Sequence, residues 1–260
     1  MTLQNIEGPE GALACDVTPS ETWRAPVIFV HSDAGRRSHW RHAVAHLGQS
    51  RGSVTFDRRG HGDSAFPASG EFGYAEECKD IDAIADTLGF EKFVLVGHSG
   101  GGALSYEYAA TRHAHVAGLL LVDPNGDPDV MPEEQWQLQL SAMRGEHFAD
   151  AADAYYRSIA GSDAAVIAEV LRDLHATDQR TIVGLLEAAH AFRPADFAEK
   201  YSGPRLSLVQ SAFDTASAIH RQGDGFPHTT IDGAGHWIHL AAPDRFHSML
   251  DEFLADVDRA

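Results

Sequence analysis

Cysteine is almost missing from the 260-residue chain, with only Cys15 and Cys78 present. They lie far apart without a CxxC spacing, so a thiolate metal site is not expected, and two reduced thiols in a cytoplasmic protein are. Positive charge is scarce as well: Lys plus Arg total 20 against 38 Asp plus Glu, a formal charge of −18 at pH 7. A surface that negative repels phosphate backbones and anionic headgroups, so neither nucleic acid nor membrane is an expected partner. Long hydrophobic runs are absent; Val27–Val30 and Leu119–Val122 fall far short of a bilayer span. Met1–Gly11 shows no basic patch followed by an apolar stretch, so no signal peptide is expected. The chain also lacks a Gly-rich phosphate loop ending in Lys-Ser or Lys-Thr, a His-Glu-x-x-His cluster, internal repeats and low-complexity tracts. No cofactor and no metal is expected.

What is present is the material of one sizeable core, since 43% of the residues are hydrophobic. Short apolar runs at Val27–His31, Ser53–Asp57, Lys92–Gly97 and Ala117–Asp123 read as buried strands. Tyr74–Leu88 carries Ala75, Cys78, Ile81, Ile84, Ala85 and Leu88 at helical spacing, and a further helix is expected from Ser99 to about His113. Strands alternating with helices predict a mostly parallel, doubly wound α/β sheet. Residues 128–201 then read as four helices without a strand: Glu133–Phe148, Ala149–Ala160, Ala164–Ala176 and Arg180–Phe192. Strand patterns return at Arg205–Gln210 and Pro227–Ile231, before a last helix from Pro243. Residues 1–127 and 202–260 should therefore form the core, with 128–201 inserted as a helical cap.

The most specific motif is Gly97-His98-Ser99-Gly100-Gly101, set between a buried strand and a helix. A turn this tight strains the serine backbone, and the flanking glycines remove side chains that would clash. The turn lifts the Ser99 hydroxyl to a helix N-terminus, where N–H groups favour developing negative charge. A serine nucleophile needs a base and an orienting acid. His236, in the glycine-rich loop Gly233-Ala234-Gly235-His236-Trp237, follows in the right chain order. Two acids fit that order: Asp214, 22 residues before His236, and Asp123, at the end of an earlier strand.

Together these residues resemble the α/β-hydrolase superfamily, in particular its ester-hydrolase-like members with a helical cap. The resemblance favours Asp214, in Ser211-Ala212-Phe213-Asp214, as the acid, with Asp123 as the alternative. It implies an oxyanion hole from the backbone N–H groups of Asp33 and Gly100. The family's His-Gly pair reads His31-Ser32 here, a departure. The loop Asp57–Ser64 matches a structural loop of the family and is given no catalytic role. Asp33 could also bring its carboxyl to the pocket mouth or cap a turn.

A serine at the elbow argues against haloalkane and epoxide chemistry, whose family members carry Asp there. The expected activity is carboxylesterase- or lactonase-like (EC 3.1.1) hydrolysis of a small or medium uncharged acyl substrate through an acyl-enzyme. A slow small-molecule receptor on the same fold and a carbon–carbon bond hydrolase are the alternatives. Because the base must be neutral, activity is expected to fall near pH 6. Trp136, Met143, Phe148, Tyr155, Tyr156, Leu186 and Phe192 are candidates for lining the pocket or for packing the cap onto the core.

Overall fold

A computed structural model describes residues 1–223 and 225–260. The chain opens with an antiparallel hairpin, β1 (Thr2–Gly8) and β2 (Gly11–Thr18). Six strands follow: β3 (Val27–Val30), β4 (Ser53–Phe56), β5 (Phe93–His98), β6 (Val116–Val122), β7 (Arg205–Gln210) and β8 (His228–Ile231). The sheet order is β1-β2-β4-β3-β5-β6-β7-β8, parallel from β4 to β8. Every residue of β3, β4 and β5 is buried, which is why these strands read as unbroken runs rather than alternations.

One face of the sheet is covered by α2 (Tyr74–Leu88) and α3 (Gly100–Thr111), around a core that includes Ile81, Ile84, Leu95, Leu104 and Leu121. The other is covered by α1 (Arg41–Leu47) and, later in the chain, by the C-terminal helix Pro243–Val257, around Phe29, Trp40, Val96, Phe246 and Leu250. Doubly wound layering thus appears as the apolar runs predict. The hairpin and α1 are additions to the expectation. β1 is exposed at five of seven positions, so it presents no run of buried side chains to read.

Between β6 and β7 stand α4 (Glu133–Arg144), α5 (Phe148–Ile159), α6 (Ala164–His175) and α7 (Gln179–Ala191). The boundaries have local causes. Gly145 follows α4, while Asp163 caps the N–H groups of Ala165 and Val166, and Asp178 caps that of Arg180. Their apolar faces form a third cluster of Met143, Ala152, Tyr156, Val170, Leu174 and Ile182. That cluster also takes in Ala34, which follows β3, and Trp237, which follows β8, so the four helices sit over the carboxyl ends of the strands. Among the described residues, no helix is long and apolar enough to cross a membrane.

Candidate active site

Ser99 joins β5 to α3 with φ 54° and ψ −122°, a backbone that a side-chain-bearing residue rarely adopts. The turn is locked from several directions. The Ser99 N–H donates to Val122 O at 3.0 Å, and its carbonyl accepts from Gly102, Ala103 and Asn125. The flanking glycines are sterically required. A Cβ on Gly97 would lie 2.4 Å from Gly101 O, and one on Gly101 would lie 2.3 Å from His31 O. The N–H groups of Asp33 and Gly100 find no protein acceptor among the described residues; Asp33 lies in the turn after β3, and Gly100 is the first residue of α3, where N–H donors are left open. Ser32 is buried, and its carbonyl accepts from Gly35 N–H at 2.9 Å.

His236 follows β8 on a loop where Gly233 and Gly235 take φ 78° and 63°. A Cβ at Gly235 would meet Ala160 O at 2.4 Å, and His236 N–H donates to Ile159 O at 3.0 Å. The histidine loop therefore rests directly on the end of α5. Behind it, the buried His98 ring lies 4.6 Å from that of His236, and His98 Nε2 reaches the His236 carbonyl at 3.0 Å.

The acid facing His236 is Asp123, with Oδ2 2.6 Å from Nδ1. Asp123 is 2% exposed, follows β6 with φ 44°, and its other oxygen accepts from Gln210 N–H at 3.0 Å. A carboxylate on Nδ1 makes that nitrogen the donor, leaving Nε2 as the basic nitrogen. The expected partner, Asp214, is elsewhere. A short turn, Ser211–Phe213, carries it off the end of β7, and the Phe213 ring packs edge-on against His236 in its place. Asp214 instead holds His220 Nε2 at 2.9 Å and Arg221 Nε at 2.7 Å. The Arg221 bond, with help from His220, keeps its carboxyl below the usual range.

Two residues that sequence reasoning missed complete the floor. Ser99 Oγ donates to Asn125 Oδ1 at 3.1 Å, and Asn125 Nδ2 faces Asp33 Oδ2 at 3.3 Å. Arg58, from the loop read as structural, is fully buried and donates to Asp33 at 2.8 Å and to both oxygens of Glu77. Burial alone would weaken its protonation, but Glu77 and Asp33 reverse that and hold it charged. Neither residue advertised itself. Asn125 is one polar residue in a loop, and Arg58 stands in an Arg-Arg pair whose second member, Arg59, binds Asp80.

Above this floor lies a cavity of about 300 Å³, lined by Ser99, His236, Asp33 and Asn125 and by apolar side chains of α4, α5 and α7. Trp136, Met143, Tyr155, Tyr156 and Leu186 reach it. Phe148 and Phe192 do not: Phe148 packs into the helical cluster and Phe192 against Tyr74 and Phe197.

Residues 27–248 match the profile of the alpha/beta hydrolase family. The (Lyso)-N-acylphosphatidylethanolamine lipase of Homo sapiens is 35% identical over 115 residues, 43% of this chain and 34% of that protein. The chain thus spans about a third of the length of that lipase and of its Mus musculus counterpart. The sn-1-specific diacylglycerol lipase ABHD11 of Mus musculus is 27% identical over 252 residues, 88% of this chain and 80% of that protein. Among solved structures, the enol-lactonase from Burkholderia xenovorans LB400 superposes with a TM-score of 0.83 at 19% identity, covering 97% of this chain and 100% of that one. With residues 27–248 matching the family profile and its sheet and strained serine turn in place, the chain belongs to the alpha/beta hydrolase family.

Proposed function

We infer that the chain is a serine hydrolase that cleaves a small or medium uncharged carboxylic ester or lactone through an acyl-enzyme. The observation that carries this reading is the buried Asp123–His236 pair at 2.6 Å, opening on the same cavity as the strained Ser99. In this mechanism Ser99 Oγ turns from Asn125 toward His236, whose Nε2 takes its proton as Oγ attacks the acyl carbonyl. The Asp33 and Gly100 N–H groups receive the oxyanion, a contribution of about 10²- to 10³-fold per donor. Asp123 fixes the tautomer and steadies the imidazolium. His236 then protonates the leaving oxygen and activates the water that clears the acyl group.

Helices α4–α7 act as the cap in this reading, because α4, α5 and α7 furnish the apolar wall of the cavity and α6 packs with them in one cluster. Two solved relatives have matching chemistry in their descriptions. One is the enol-lactonase, and the other is Est816, described as an N-acyl homoserine lactone degrading enzyme. A series of p-nitrophenyl esters with acyl chains of increasing length tests the proposal. Steady-state turnover is expected for short and medium chains, and Ser99→Ala should lower kcat by about 10⁴-fold or more. A single slow event instead of turnover would replace the enzyme reading with that of a receptor.

A further inference from the structure

The Asp33 side chain lines the cavity together with Ser99 and His236. It places a formal negative charge beside the N–H groups that are to hold an oxyanion. A Cβ built on Gly100 would touch Asp33 Oδ1 at 2.0 Å, so the carboxylate lies directly against the first residue of α3. The helix N-terminus and Arg58 make that position tolerable. They do not neutralise it, because Arg58 is shared with Glu77 and one guanidinium serves two carboxylates. The side chain keeps 17% of its surface open and lines the cavity.

Its hydrogen-bonding capacity is also under-used. A carboxylate offers about four acceptor directions. Oδ1 takes one Arg58 N–H at 2.8 Å, while Oδ2 has only the long 3.3 Å contact with Asn125 Nδ2. Asn125 is committed in turn, its oxygen to Ser99 and its amide to Asp33 and Tyr74. The carboxylate therefore lines a largely apolar cavity with acceptor directions to spare on Oδ2. The residues lining that cavity include Asp33 and Asp127 but neither Lys nor Arg.

We propose, on the strength of the serine-hydrolase reading, that the Asp33 carboxylate is a specificity-determining group that accepts a hydrogen bond from an N–H or O–H of the substrate close to the scissile carbonyl. The same charge turns away substrates that bring a carboxylate or phosphate to this place. A donor satisfies a partly desolvated acceptor, whereas an anion meets a second negative charge in a site with no facing cation.

The experiment compares kcat/KM within matched esters: p-nitrophenyl butyrate, p-nitrophenyl 3-hydroxybutyrate and the anionic p-nitrophenyl hemisuccinate. A second pair, ethyl butyrate and 2-hydroxyethyl butyrate, places the donor on the leaving-group side. Wild type should favour the hydroxyl-bearing member of at least one pair by about ten- to a hundredfold, and should disfavour hemisuccinate against butyrate. Asp33→Asn should shrink the first ratio and raise the hemisuccinate-to-butyrate ratio by about tenfold or more. Each readout is a ratio within one preparation, so loss of folded protein does not imitate it. No donor preference in wild type, or ratios unchanged in Asp33→Asn, would overturn the proposal and leave Asp33 a structural partner of Arg58. Failure of the underlying reading looks different: wild type would turn over none of the esters.

Discussion

Asp123→Asn is expected to lower kcat by about 10³- to 10⁴-fold while leaving KM within a few-fold, whereas Asp214→Asn should keep kcat within about threefold of wild type. The difference follows from what each carboxylate touches. Asp123 accepts from His236 Nδ1 through one oxygen and from Gln210 N–H through the other. An asparagine there would keep its carbonyl on the backbone donor and turn its amide toward Nδ1. That arrangement drives the ring proton to Nε2, the nitrogen that has to take the proton of Ser99. Asp214 is tied to His220 and Arg221, and its loss loosens a surface turn without reaching the imidazole. Circular dichroism and kcat on both variants decide the matter; a silent Asp123→Asn beside an inactive Asp214→Asn would reverse the assignment.

The choice between these acids shows where the sequence stops being readable. The elbow was legible because its chemistry is local. Glycines at 97 and 101 are demanded by contacts that a Cβ would violate, and the apolar run before Ser99 declares a buried strand. The four helices between β6 and β7 were legible from their apolar stripes and from the absence of any strand among them. Which carboxylate faces His236 was not, because chain order admits both residues and only three-dimensional placement separates them. Three residues of turn after Gln210 move Asp214 away, and Phe213 takes up the space against His236. Asn125 and Arg58 were hidden for a related reason. Their importance comes from long-range partners, Ser99 and Asp33, separated from them by 26 and 25 residues.

Acid should unfold this protein steeply. His31, His61, His98 and His239 are each at most 2% exposed, and burial holds all four below the ordinary histidine range, His61 to about 3. Their neighbours add to the effect. Arg58 faces His31 and His61, His236 faces His98 and His239, and His39 and Arg41 lie near His239. His31 also spends both nitrogens in its neutral form, Nδ1 toward Ser32 O and Nε2 accepting from Arg58 N–H, so a second proton breaks a backbone bond. Folded pKa values below the unfolded value of about 6.5 contribute stability that is full above that pH and is lost as pH falls toward the folded values. Four such groups act in the same direction, so stability falls progressively as the pH drops below the unfolded value. Glu77 and Asp80, raised by burial, oppose this as they take up protons. Urea unfolding between pH 8 and pH 4.5 should show a midpoint that collapses below about pH 5.5. A midpoint constant from pH 7.5 to pH 5 would mean that these histidines take up protons without unfolding.

In the proposed mechanism Ser99 is a nucleophile activated by His236 and Asp123. A small fluorophosphonate, followed by intact-mass measurement on wild type and Ser99→Ala, tests it most directly. One stoichiometric adduct is expected on wild type, located at Ser99 and absent from the variant. An adduct that survives Ser99→Ala, or folded wild type that stays unlabelled, would contradict it.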